Sequence, residues 1–275
     1  MLRTALLLAL MTALLLVVGR TLAGSGGMIV ALVVAAAMNL GAWWFSDSLV
    51  LSMTGAKEVT EAEAPGFVAL VRDLALRNGM PMPRTFIVDD PQPNAFATGR
   101  SPERAAVAAT TGLLDRLTPD EVVGVMAHEL AHVRNRDTLT MSVAATIGGA
   151  VGMLANVFSL FGGDRENKSP IAGIVAILLA PLVAVLIQTA ISRSREFVAD
   201  AEGARMCGDP EKLASALERL EDYGARIPSS FIDDAPAAAH LCIANPFSGR
   251  TLSALFSTHP DMGERIRRLR AIRPA

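Results

Sequence analysis

Histidine is scarce in this sequence, with four in 275 residues. Two of the four stand one helical turn apart in "MAHELAHVRNRD", residues 126–137. Side chains at i and i+4 leave the same face of a helix, so His128 and His132 direct both imidazoles toward one point. Neutral imidazoles at this spacing chelate zinc with little reorganisation. Glu129, beside the first histidine, is placed to take a proton from a water that zinc acidifies to a pKa of about 7. The chemistry implied is hydrolysis of a peptide bond, with Glu129 as general base and then general acid.

A catalytic zinc takes three protein ligands and keeps one position open. With histidine nearly exhausted, a carboxylate is the stronger candidate for the third ligand. "SRSREFVADAEG" offers Glu196, with Asp200 one turn later on the same helical face. One carboxylate would bind the metal, and Asp200 would hold the second N–H of a ligand histidine and fix its tautomer. His259, in "STHPD" ahead of a helix, is the candidate to stabilise the oxyanion. His240, between apolar neighbours, reads as core, and Tyr223 as an ordinary surface residue. Arg195 reads as an anchor at the lipid headgroups. A protease holds its substrate extended, most simply by adding it to a sheet edge. "NAFATG" is the candidate edge, through Asn94, Ala95, Phe96 and Ala97, with the two alanines small enough to admit another backbone.

These residues need elements to carry them. Thr118 as cap, Pro119 at the first helical position and Glu121 closing a capping box launch the helix that bears the motif. That helix is expected to lead into the third apolar span. Upstream, Phe67, Leu70, Val71, Leu74 and Leu76 define an amphipathic helix stopped at Asn78-Gly79. "RTFIVDD", "NAFATGR" and "RAAVAATTGLL" read as short strands, separated by prolines at 81, 83, 91, 93 and 102. Asp209 and Pro210 open another helix, and "PDMGERIRRLRAIR" reads as a short basic closing helix.

Four apolar blocks flank or interrupt this polar material: Thr4–Gly19, Met28–Phe45, Met141–Phe161 and Ile171–Ile191. Each approaches the roughly 20 residues that cross a bilayer as a helix. Charges, which are costly at mid-bilayer, are nearly absent from them. Gln188, in the fourth, is expected to face neighbouring helices. A cleaved signal peptide is the rival reading of the first block, but no A-x-A site follows and a second block arrives after "GRTLAGSGG". Arg3, Arg134, Arg136, Arg193 and Arg195 flank the spans on one side, against Arg20, Arg165 and Lys168 on the other. That bias puts both termini and the polar segments in the cytoplasm. Cys207 and Cys242, far apart, fit a reducing compartment, and a net charge of −2 gives no sign of nucleic-acid binding.

The expected architecture is an α+β integral membrane protein. Residues 1–50 form a transmembrane hairpin, and 51–140 the first part of a cytoplasmic catalytic domain with the motif helix. Residues 141–192 form a second hairpin, and 193–275 the rest of the domain with the third ligand. It is expected to be mostly helical with a small β-sheet.

The motifs "NAFATG", "HELAHVRNRD", "SRSREFVAD", "AHLCIANP" and "FSTHPDMGERIRRL", with the paired spans, resemble the HtpX-type membrane zinc metalloproteases, relatives of the CAAX prenyl proteases. The resemblance runs over nearly the whole chain. It implies a zincin-like domain with one Zn(2+) per chain held by His128, His132 and Glu196, Glu129 as catalytic base and acid, and Asp200 behind the ligands. It also implies a multi-pass protein of the bacterial inner membrane that cuts misfolded membrane or membrane-associated proteins in quality control. Two readings compete with it. One is a non-enzymatic scaffold or chaperone whose zinc is closed by His259 or Asp200; the other is a prenyl-protein endoprotease, which usually carries more than four spans.

Overall fold

The computed structural model describes residues 2–147, 193–224, 226–229, 241–243 and 260–273. Most of the third span and all of the fourth lie outside the described residues, as do Gln188, His240 and His259.

The chain opens with α1, Leu2–Met53, which is two helical arms joined at a break: Ala23 and Gly24 leave helical geometry, and Gly24 has φ +62°. The arms fold back on each other. Asn39 on the second donates to the Thr12 hydroxyl (2.8 Å) and the Leu8 carbonyl (3.2 Å) on the first. Near the turn, a Cβ at Gly19 would lie 2.4 Å from the Gly27 carbonyl oxygen, and one at Gly27 2.2 Å from that of Gly19. Only glycine permits such contact, because any Cβ would overlap the facing backbone. Both arms are long and apolar enough to cross a membrane. Most of their surface is open, including Leu6, Val17, Ile29, Val30, Val33 and Leu40.

The polar region builds a four-stranded sheet in the order β1-β2-β4-β3, from β1 (Lys57–Glu58), β2 (Arg84–Val88), β3 (Ala95–Thr98) and β4 (Ala106–Thr110). β2 and β4 are parallel, while β1 and β3 pair antiparallel at the two edges. The three expected strands are present, and β1 is an addition too short to show periodicity. The end of the third candidate, "TTGLL", is instead a short helix, α3 (Thr111–Arg116), because the Thr110 hydroxyl caps it by accepting from Leu113 N–H.

Alternation along the strands divides the core. Ala95, Ala97, Val107 and Ala109 meet α2 (Pro65–Arg77) and α4 (Pro119–Arg134) through Phe67, Val71, Leu74, Val125, Met126 and Leu130. Phe86, Val88, Phe96, Ala106 and Ala108 face the other way, onto Val50, Leu51, Met141 and Ala145. The end of α1 and the start of the third apolar block therefore form one layer against the sheet. Leu7 and Met11 also pack on Leu139, Val143 and Ile147, and Thr4 bonds Thr140 at 2.9 Å. The two arms of α1 are thus seated against residues 139–147, where the third apolar block begins.

Helix α4 leads toward the third apolar block through a break rather than as one continuous helix. It stops at Arg134, and Arg136 takes a left-handed φ of +58° before α5, residues 137–147, begins. The break re-aims the chain so that Asp137, first in α5, faces His132. Three helices complete the described fold: α6 (Arg193–Cys207), α7 (Pro210–Gly224) and α8 (Met262–Arg270).

Candidate metal centre and active site

The capping box at the start of α4 forms as the sequence indicates. The side-chain oxygens of Thr118 and Glu121 each accept from the other's backbone N–H, which fixes the register of everything downstream on the helix. Three turns on, His128, Glu129 and His132 are all buried. Helix α6 crosses α4 with Glu196, Asp200 and Gly203 on its facing side, an i, i+4, i+7 stripe. Gly203 makes the crossing close: a Cβ there would lie 2.9 Å from both the Cα and the N of His128.

This crossing brings His128, His132 and Glu196 together, with all three ligand atoms within 4.8 Å of one another. The two Nε2 atoms are 3.2 Å apart. Glu196 lies 3.7 Å from His128 Nε2 and 3.5 Å from His132 Nε2. A tetrahedral ion with bonds of about 2.0–2.1 Å has ligand–ligand edges of about 3.3–3.4 Å. The donor triangle therefore has the size and chemistry of one face of a zinc tetrahedron. Burial lowers the His128 pKa to about 4, against the pull of Asp200, so its imidazole is neutral at physiological pH, as a ligand must be.

Both imidazoles are backed by carboxylates. His128 Nδ1 lies 2.9 Å from Asp200 Oδ1. His132 Nδ1 lies 3.3 Å from Asp137 Oδ2. Asp137 is in turn paired with Arg195. Arg195, half exposed and expected at the lipid headgroups, also pairs with the carboxylate that backs His132, because α6 and the first turn of α5 meet there.

A group not singled out in the sequence sits deepest of all. Arg265 of α8 is wholly buried. It grips Asp200 with both ends of its fork, at 2.9 and 2.7 Å. Its Nη2 comes within 3.4 Å of His128 Nε2 and 3.9 Å of Glu196. Burial alone would raise the Asp200 pKa, but the guanidinium outweighs it and holds the carboxyl down to about 2. Asp200 is therefore committed to Arg265 and His128 rather than to a fourth metal position.

Glu129 points to the sheet. Its carboxylate accepts from Ala97 N–H of β3, yet burial and the nearby Glu196 raise its pKa to about 7. A carboxyl poised near neutrality can both take and return a proton. The expected edge residues divide into two kinds. Thr110 N–H donates to the Asn94 carbonyl at 3.0 Å, so alternation turns the backbone groups of Asn94, Phe96 and Thr98 toward β4 and those of Ala95 and Ala97 toward the open edge. The Phe96 ring lies on the face away from α4.

A family model described as Peptidase family M48 matches residues 61–273. The chain belongs to this family. Among solved structures, this M48 chain is similar to Ste24p of S. mikatae, at 18% identity with a TM-score of 0.50. The match covers 97% of this chain but 62% of that one, and at this identity the likeness concerns the fold.

Proposed function

We propose that this M48 protein is a membrane zinc metalloendopeptidase. The observation that carries the reading is the buried triangle of His128, His132 and Glu196, sized for one zinc ion, with Glu129 between it and the β3 edge. Zinc, when bound, supplies Lewis acidity to a water and to the scissile carbonyl. Glu129 takes the proton of the attacking water and delivers it to the leaving amine. The edge of β3 holds the substrate backbone, while Asp200, Asp137, Arg265 and Arg195 keep the imidazoles aimed. Asp200's engagement with Arg265 argues against a closed, purely structural site among the described residues. In this reading His259 assists at the oxyanion.

The two apolar arms of α1 support a membrane setting. Trp43 and Trp44 are exposed near the end of the second arm, with Arg100 stacked 4.0 Å over Trp44, an arrangement typical of a membrane–water interface. The reading extends to the bacterial inner membrane, with four spans, both termini and the catalytic domain in the cytoplasm, and misfolded membrane or membrane-associated proteins as substrates.

The test is zinc content and casein digestion by the purified full chain in detergent. Glu129→Gln should retain zinc and lose cleavage by about a hundredfold or more. Native-rate cleavage by that variant would sink the mechanism.

A further inference from the structure

Ala95 is the first residue of β3 whose backbone faces the open edge, yet both of its groups are already engaged. Its N–H donates to the Asn94 side chain at 3.0 Å, and its carbonyl accepts from Ile243 N–H at 3.1 Å. The Ile243 carbonyl in turn accepts from Arg265 Nη1 at 3.1 Å. The backbone of a single residue from a distant part of the chain is thus clamped between the sheet edge and the buried arginine behind the metal ligands. Ile243 also fills the core beside α4, while Leu241 and Cys242 fill the core on the other face of the sheet. All three are nearly inaccessible to solvent, at 2% or less. Such a segment is anchored on both faces, unlike a flap lying over a groove.

We propose that Leu241–Ile243 is a built-in stop on the substrate edge. It occupies the pairing position at Ala95 and leaves an incoming strand the edge from Ala97 onward, where the Ala97 N–H donates to Glu129 and the Gly99 carbonyl accepts from Thr138 Oγ1 at 2.8 Å, so a substrate pairs there by displacing these bonds. Ile243 is then a positioning residue that sets substrate register. An antiparallel substrate would run from Gly99 toward Ala95 and meet Ile243 at its C-terminal end. Backbone recognition is therefore one-sided about the scissile bond.

This inference rests on the protease reading above, and a ladder of peptides lengthened one residue at a time separates the two. In the native full chain, kcat/KM should rise about two- to tenfold for each backbone hydrogen bond gained on the open side. On the other side the gain should end within one or two residues. Ile243→Pro, which lacks the N–H that closes Ala95, should move the preferred cleavage positions and restore gains on the blocked side. If that variant does not fold, hydrogen exchange decides. The Ile243 amide should stay protected when an uncut peptide saturates the Glu129→Gln protein. Equal gains on both sides, or faster exchange at Ile243 on peptide binding, would overturn the stop. Failure of the native chain to cut any peptide would remove the protease reading, and this inference with it.

Discussion

Gly203 offers a sharp test of how the metal triangle is assembled, because one methyl group added there touches no ligand atom. In Gly203→Ala the new Cβ would stand 2.9 Å from two backbone atoms of His128. Ordinary carbon contacts are about 3.5–4.0 Å, so the helices must separate by roughly 0.6–1 Å. Backbone atoms in mid-helix cannot swing aside as a side chain can. The shift falls on the α4–α6 crossing, where Glu196 is 3.5 and 3.7 Å from the two imidazole nitrogens. Overpacking of this kind costs about 1–3 kcal/mol, partly offset by the roughly 1 kcal/mol by which alanine is the better helix former. Thermal stability should therefore fall only modestly. Zinc affinity, read by competition with a chromogenic chelator, should fall about 10- to 100-fold, the range seen when groups behind metal ligands are disturbed. Gly124→Ala is the control. Its Cβ would lie 2.6 Å from backbone N of Leu213 in α7, so it should lower stability through a different crossing and leave affinity less affected. If Gly203→Ala binds zinc as tightly as the native chain, close approach of α4 and α6 does not position Glu196.

Arg265→Leu should cost about 3–5 kcal/mol in thermal or denaturant unfolding, since it strands the Asp200 carboxylate in the interior. Adding Asp200→Leu should recover part of that loss, and a double variant less stable than Arg265→Leu alone would refute the pairing. In chelator, two buried groups should oppose each other as pH falls. The unfolded chain takes up a His128 proton below about 6.5 that the folded chain refuses until about 4, which lowers stability. The folded chain takes up a Glu129 proton near 7 that the unfolded chain refuses until its ordinary value of 4.5, which raises it. Glu129→Gln removes the second effect, so between pH 6.5 and 4.5 the variant should lose more stability than the native chain. Equal slopes would contradict the burial of Glu129.

Much of the site is written locally. The i, i+4 histidines, the capping box and the Glu196–Asp200 pair lie within single helices, where spacing dictates facing. The strand edges were legible through alternation and the prolines between them. Arg265 was harder to see, because it sits among Arg267, Arg268 and Arg270 on a helix that reads as basic and exposed. Its signal was positional: Met262, Arg265, Ile266 and Leu269 form one stripe, of which Arg265, Ile266 and Leu269 are buried, and a charge within such a stripe needs an interior partner. The break between α4 and α5 was missed because a left-handed arginine leaves no mark in composition. The role of Ile243 runs through its backbone, which no side-chain pattern encodes.

X-ray absorption at the zinc edge of the purified full chain tests the central claim most directly. The account predicts one zinc with two imidazole nitrogens at about 2.0–2.1 Å, oxygen neighbours at about 2.0–2.2 Å completing four-coordination, and no sulfur. A sulfur at about 2.3 Å, a third imidazole, or no bound zinc at all would contradict it.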